Sequence, residues 1–492
     1  MTRGLAAWGA YVPRARLERA AIAGALQWLQ PGKGRAKGTR SYCHWDEDAL
    51  TMAVEAARDC LGERPRAVAA VTLASTTLPF ADRSNAGLLA GALTLDERCR
   101  TVDAGGSLRA GTGALRAALE GTDSALVVGS DARRARPGSA QEPQYGHGAA
   151  AFLVDEHDLA AEYLGGDSLA VDFVDHYREA GSEFDYAFEE RWVRDEGYAK
   201  LVPPVIARAL ETAGVRAADV AHFVLPAAHA HAKKLAQQAG IPAGAVREPL
   251  ADGCGDTGTA HPLLMLAHAL EHAAPAQVVL VCGFGQGVDA LVFRTTERVA
   301  ASRPRAGVTG ALASGAADSA YVRYLSHTGL LAVDFGMRAE RDNRTAQSAY
   351  WRRHRDVTGF VGGRCGACGT VQFPRSRACV NPECRAFDTQ VEQRLADVPG
   401  RVKTFTEDWL AYTPSPPHVY GNVELEGGGN VFIEFTDVAA GELAVGSRLR
   451  FMFRLKDVDR IRGFRRYFWK ATLVRDDAAH AATPGGIAAA KA

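Results

Sequence analysis

Four cysteines carry the clearest chemical signal in the sequence. Cys365-Gly-Ala-Cys368 and Cys379-Val-Asn-Pro-Glu-Cys384 form two pairs in short turns, with ten residues between them. Such pairs can bring four thiolates to the corners of a tetrahedron, the arrangement Zn²⁺ favours, and the metal supplies folding energy a short segment lacks. Arg364, Arg375 and Arg377 would soften the charge of the site. Four protein ligands close the coordination sphere, so the expected Zn²⁺ is structural and identifies no hydrolase. Free or redox-active thiols are the competing reading.

A second set of candidates is scattered along the chain. Asp103-Ala-Gly-Gly-Ser-Leu-Arg-Ala-Gly-Thr-Gly-Ala-Leu115 lies between two apolar, strand-like runs and opens a helix. Small residues let the backbone turn sharply there, and a helix N-terminus favours developing negative charge. The stretch holds no cysteine, only Ser107 beside Leu108. Farther on stand His229 and His231, and then Asp256 within Gly255-Asp-Thr-Gly258. Ser107 as nucleophile, either histidine as base and Asp256 as its orienting group would satisfy an acyl-transfer triad. Ser107 as a plain turn residue is the competing reading. His147 and His261 are further pocket candidates, although a lone histidine is more often structural.

These residues need a scaffold, and residues 1–298 alternate strand-like and helix-like stretches. Apolar runs such as Ala125-Leu-Val-Val-Gly-Ser130 lack clean alternation, which suits strands covered on both faces. Helix, apolar strand and glycine turn occur near 112–130 and again near 260–287, an internal duplication of a strand-and-helix half. Two such halves predict helices sandwiched between mostly parallel sheets. The acidic Asp46-Glu-Asp48 precedes a helix and reads as its cap. Residues 299–355 read as a linker with connecting helices, 356–394 as the zinc ribbon, and 476–492 as a disordered tail. Residues 395–475 read as about five short strands of a small OB-type barrel.

Bulk properties narrow the function. The chain of 492 residues is too long for one core. Lys+Arg and Asp+Glu both number 57, so a nucleic-acid binder loses weight. Its remaining support is the OB-type barrel, with Arg460, Arg462, Arg465 and Arg466 set against Tyr467, Phe468 and Trp469. The N-terminus lacks a signal-peptide core and no run approaches about 18 apolar residues, so a soluble cytoplasmic protein is expected.

Several motifs carry a family resemblance. Tyr42-Cys-His-Trp-Asp-Glu-Asp-Ala-Leu-Thr-Met-Ala-Val-Glu-Ala-Ala57 resembles the hydroxymethylglutaryl-CoA synthase segment in which an acidic triplet precedes a Met-Ala-containing helix. Gly255-Asp-Thr-Gly258 and Gly283-Phe-Gly-Gln-Gly-Val-Asp289 are similar to that family's late glycine motifs, and residues 321–331 to its closing segment. Residues 356–475 resemble the rubredoxin-like zinc ribbon and OB-fold module that accompanies thiolase-superfamily proteins. The resemblance implies a thiolase-type αβαβα fold, usually a dimer, acting on acyl thioesters of CoA or a carrier protein. It implies chemistry at the carbon alpha to the thioester, supported by a cysteine, a glutamate, a histidine and an asparagine.

This sequence departs at all four positions, which fall on Leu108, Thr76, the region of Pro226, and Asp256. Leu108, Thr76, Gly283 and Gly285 are expected to line the acyl pocket. Three readings follow. The first is a condensing or acyl-transfer enzyme working through the shifted Ser107, His229 or His231, and Asp256. The second is a non-covalent aldolase-type lyase on acyl-CoA, as in some zinc-ribbon-partnered relatives that lack the cysteine. There Cys282, whose Cys-Gly-Phe-Gly-Gln-Gly run resembles the thiolase acid/base motif, would protonate a carbanion, unless it is a small buried residue. The third is a catalytically silent scaffold.

Overall fold

The structure, a computed structural model, describes residues 2–29, 36–62 and 67–475. The tail at 476–492 lies outside the described residues. The strands that position the site are β1 (Gly4–Tyr11), β2 (Ala70–Ala74), β3 (Arg100–Ala104), β4 (Ala125–Ala132) and β5 (His147–Asp155). The second half contributes β6 (Ala161–Ala170), β7 (Val220–Val224), β8 (Val278–Phe284) and β9 (Gly287–Thr295). The helices are α1 (Ala49–Leu61), α2 (Asn85–Ala92), α3 (Ala110–Glu120), α4 (Ala199–Ala213), α5 (His229–Gln238) and α6 (His261–Glu271).

The strands run in the order β7-β8-β9-β6-β1-β5-β4-β2-β3. From the β1–β6 junction outward, each half places its first strand, then an antiparallel pair, then a parallel second strand. The first half ends in β3, whose counterpart among the described residues is the parallel bridge Phe223–Val246. β1 and β6 meet through two residue pairs, so each half keeps its own layer.

Three cores separate five layers. One lies under α1 and α2, one around α3 and α6, and one under α4 and α5. α6 buries nearly every side chain, as a helix apolar all round must. α3 lies close beside it because Gly111 has no side chain: a Cβ there would come 2.5 Å from the Thr259 carbonyl oxygen.

The expected linker is partly structured. Gly307–Ala313 forms a helix that buries Val308, and Ala316–Asp318 pairs parallel with Ala15–Leu17. Glycine- and alanine-rich composition suggested a loose chain, but Glu271 accepts hydrogen bonds from the N–H groups of Val308 and Thr309 and fixes the helix start. Beyond the ribbon, five strands between Gly400 and Leu473 close into a small barrel. Its edge strands Asn430–Glu434 and Phe464–Leu473 meet at a parallel bridge, Phe435–Ala471.

The acidic triplet does more than cap. Asp48 accepts from the N–H groups of Leu50 and Thr51 at 3.1 and 3.0 Å, as expected of an N-cap. Each of the three carboxylates also meets a barrel cation: Asp46 with Lys470 at 2.9 Å, Glu47 with Arg454 at 3.1 Å, and Asp48 with Arg465 at 2.9 Å. The interface is largely buried, with Arg454 fully so. This placement also revises the picture of a basic-aromatic nucleic-acid surface. Arg465 and Tyr467 bind Asp48, Arg466 binds Asp457, Arg462 binds Asp459, and the Trp469 indole donates to the Thr358 carbonyl.

Candidate active site and metal centre

α3 begins without a capping side chain, and Arg109 occupies its N-cap position. Its first turn therefore keeps N–H groups that no side chain satisfies. Two carboxylates from different strands hold this region. Asp289 on β9 accepts from Arg109 at 2.9 Å and Thr112 at 2.9 Å, and also from Ser168. Asp131, fully buried at the end of β4, accepts from Ser75, Thr76, Thr77 and the Thr259 N–H at 2.7 to 3.1 Å. It ties the 75–77 turn to the 256–260 turn.

Leu108 sits where these pieces meet. A Cβ on Gly285 would come 3.1 Å from the Leu108 nitrogen, and one on Gly283 would come 2.2 Å from the Thr112 hydroxyl. Both glycines thus give room to the start of α3. Ser107 accepts from the Ala110 N–H through its carbonyl, and its hydroxyl makes no hydrogen bond among the described residues. Asp256 pairs with Arg133 at 3.3 Å and accepts from the Gly258 N–H at 2.8 Å. Burial opposes its ionisation, but Arg133, His261 and that N–H together hold its carboxyl below the usual carboxylate range.

The structure does not assemble the shifted triad. His229 pairs with Glu248 at 3.2 Å, and His231 packs edge-on to the Tyr198 ring. Neither has a hydrogen bond or ion pair with Ser107 or Asp256 among the described residues. Cys282 is also displaced. It is fully buried in the core shared with α4 and α5, whereas Val279 and Val281 face the layer of α3. Strand alternation turns its thiol to the face away from Leu108, and burial pushes that thiol far up. His147 is locked, accepting from the Cys43 N–H at 2.8 Å with its other nitrogen 3.0 Å from the Arg133 carbonyl. His261 is similarly occupied at the Thr257 N–H.

Sequence reasoning missed the groups that the 171–198 segment brings over this region. Arg178 donates to the Thr76 carbonyl and pairs with Asp185, which also binds Arg133 at 2.7 Å. Phe173, at the other end, packs edge-on against Phe284, next to Gly285. Between them, His176 Nδ1 lies 2.7 Å from Asp175 Oδ2. Asp175 is 8% exposed and its other oxygen has no partner among the described residues. The adjacent Asp-His pair was the one available signal, in a stretch without periodicity. Asp131 and Asp289 had a clearer one: each is a charge next to an apolar run within its strand.

The four ribbon cysteines converge as expected, with all ligand atoms within 4.8 Å of one another. Cys365 and Cys384 sulfurs are 3.9 Å apart and those of Cys368 and Cys379 3.6 Å, near the roughly 3.8 Å edge of a Zn–S tetrahedron. The Thr389 hydroxyl, followed by the Cys368 N–H, holds the Cys365 thiol down at about 6. The set fits Zn²⁺, and with four sulfurs it leaves no position for substrate.

Comparison with known proteins agrees with this geometry. Residues 210–294 match the 3-oxoacyl-[acyl-carrier-protein] synthase III C-terminal family, and residues 357–390 match the ChsH2 rubredoxin-like zinc ribbon domain. The hydroxymethylglutaryl-CoA synthase of Methanocella arvoryzae is 28% identical over 352 residues, covering 68% of this chain and 100% of that protein. That of Caldivirga maquilingensis is 29% identical over 353 residues, with the same coverage. Among solved structures, MvaS in complex with 3-hydroxy-3-methylglutaryl coenzyme A aligns with TM-score 0.58 and 21% identity, over 68% of this chain and 94% of that one. The curacin-pathway HMG synthase in complex with acetyl donor-ACP aligns with TM-score 0.58 and 17% identity, over 80% and 100%. No helix among the described residues is long and apolar enough to cross a membrane. The chain is a thiolase-fold homologue of the hydroxymethylglutaryl-CoA synthases, with a ChsH2-type rubredoxin-like zinc ribbon in the same polypeptide.

Proposed function

We propose that this protein makes or breaks a carbon–carbon bond at the carbon alpha to an acyl thioester, without passing the acyl group to the enzyme. The observation that carries this reading is the start of α3: uncapped N–H groups beside Leu108, in a loop with no thiol. Such N–H groups can hold the oxyanion of an enolate, while a leucine in the nucleophile position accepts no acyl group. The substrate is a thioester of CoA or of a protein-bound phosphopantetheine arm.

In the cleavage direction a 3-hydroxyacyl thioester gives up its hydroxyl proton. The C–O electron pair closes to a carbonyl, the Cα–Cβ bond breaks, and its electrons pass to the thioester oxygen at the α3 N-terminus. Cα then takes a proton. We assign that proton to His176, which pairs with Asp175 and lies within electrostatic reach of Asp256, and Asp256 with Arg133 supplies fixed charge. The addition reaction is the reverse sequence.

Among the described residues β3 pairs on one side only, and Val102 on it is 55% exposed. We assign this edge to a homodimer contact, so Val102→Lys should shift the protein from dimer to monomer in sedimentation.

Assaying a panel of 3-hydroxyacyl-CoA thioesters for ketone or aldehyde release by mass spectrometry tests the function. Turnover that falls about 10²-fold or more in His176→Gln and persists in Ser107→Ala supports it. No turnover on any CoA or carrier-protein thioester, in either direction, favours the scaffold reading.

A further inference from the structure

A cleft separate from the α3 site lies between the first half and the barrel. It encloses about 1180 Å³ and is lined by the end of β1, the C-terminal part of α1, residues 301–314 and one face of the barrel. Eight arginines and six carboxylates line it. Most of the carboxylates are already committed. Glu55 and Asp397 pair with Arg58, Asp59 accepts from the N–H groups of Ala10, Ala306 and Gly307, and Asp437 pairs with Arg454. Only Glu424 and Glu426 remain without a partner among the described residues.

The arginines are the reverse. Arg58 and Arg475 pair with carboxylates, but Arg14, Arg303, Arg305, Arg401, Arg448 and Arg450 have no carboxylate ion pair among the described residues. Their arrangement is costly as it stands. Arg401 and Arg448 are direct cross-strand partners, and Arg450 is two positions along the same strand face; like charges placed opposite one another destabilise a sheet. Arg303 and Arg305 come to the same cleft from the 301–314 segment. Arg14 and Arg475 both donate to the single Asp437 carbonyl, so two guanidiniums are held together. Thr472, which pairs with Arg450 across the strands, is 1% exposed and its hydroxyl has no partner although it lines the cleft.

We propose that this cleft is a binding site for a polyphosphate ligand, a chain of two or more linked phosphoryl groups held by the barrel arginines on one side and by Arg303 and Arg305 on the other. Guanidinium forks match phosphate oxygens bidentately, and an anion between the arginines relieves their mutual repulsion. The volume admits a nucleotide-sized molecule. The chemistry is shared by inorganic polyphosphate, nucleotide di- and triphosphates and the nucleotide end of coenzyme A. The site does not rest on the reading of the α3 region.

Calorimetric titration of the full chain at low salt with tripolyphosphate, ATP and free coenzyme A, each separately, tests the proposal and distinguishes the sources. At least one should bind saturably at one site per chain, and added salt should weaken it. Two independent double variants, Arg448→Gln with Arg450→Gln and Arg303→Gln with Arg305→Gln, should each weaken binding at least about tenfold, the scale expected of lost charged contacts. The exposed control Arg98→Gln should leave it unchanged, and thermal melting confirms that the variants are folded. Absence of saturable binding by all three compounds overturns the proposal. So does binding that neither double variant alters, or a chain that binds an oligonucleotide but none of the three.

Discussion

The N-termini of α1 and α3 are built in opposite ways. α1 is capped by Asp48, and the three carboxylates around its start meet Lys470, Arg454 and Arg465 of the barrel. α3 has no side-chain cap, and the loop before it is partly open to solvent. In the first case the charge favoured by the helix dipole comes from the protein itself, and the result is a sealed interface. In the second the protein fixes the loop from below, through Asp289 and Asp131, and supplies no side-chain cap to the N–H groups of the first turn. A helix start that supplies its own anion is structural; one that withholds it can receive the negative charge of a ligand.

This contrast predicts unequal responses to substitution. Arg454→Met should be the most damaging, since it leaves Glu47 buried and Asp437 half-buried without their cation. The expected loss is about 3–5 kcal/mol in urea unfolding. Removing the ribbon metal should come next: Cys379→Ser is expected to drop zinc from about one per chain to none and to lower the melting temperature. The same result should follow with a chelator. At Asp48 two effects separate. Asp48→Asn keeps an N-cap acceptor but loses the charge facing Arg465, whereas Asp48→Ala also loses the cap, an additional cost of about 1 kcal/mol.

A pH titration of stability probes groups buried in the neutral state. Burial first, and then Arg40, pushes the His147 pKa down to about 3, and burial with His44 and Arg323 does the same to His327. The unfolded chain takes up these protons below about 6.5 while the native protein does not. Stability is therefore full above about pH 6.5 and declines as pH falls toward 3, by at most about 1.4 kcal/mol per pH unit for each group. A urea midpoint unchanged between pH 7 and 4 would contradict this. The smallest effect belongs to α3: Ser107→Ala should shift stability by less than about 0.5 kcal/mol, because its hydroxyl holds nothing.

Legibility from sequence followed the same division. The ribbon was readable because its ligands come in two local pairs, so spacing alone encodes geometry. The layered core was readable from unalternated apolar runs and from the repeat near 112–130 and 260–287. The triplet at 46–48 was read only as a cap because its partners lie about 390–420 residues away, where no local pattern connects them. For the same reason the sequence does not show that His229 pairs with Glu248 and His231 packs on Tyr198. Cys282 failed on alternation: its neighbours at 281 and 283 face α3, and it does not. His176 was missed because it lies in an aperiodic segment whose place over Thr76 is fixed by Arg178.

The most direct test of the account is intact-mass spectrometry of the full chain during turnover of an acyl-CoA. With no acyl-enzyme, product should form with the protein mass unchanged, in the parent chain and in Ser107→Ala alike. An acyl adduct that maps to residues 105–115 and disappears in Ser107→Ala would contradict it and restore a covalent mechanism to the start of α3.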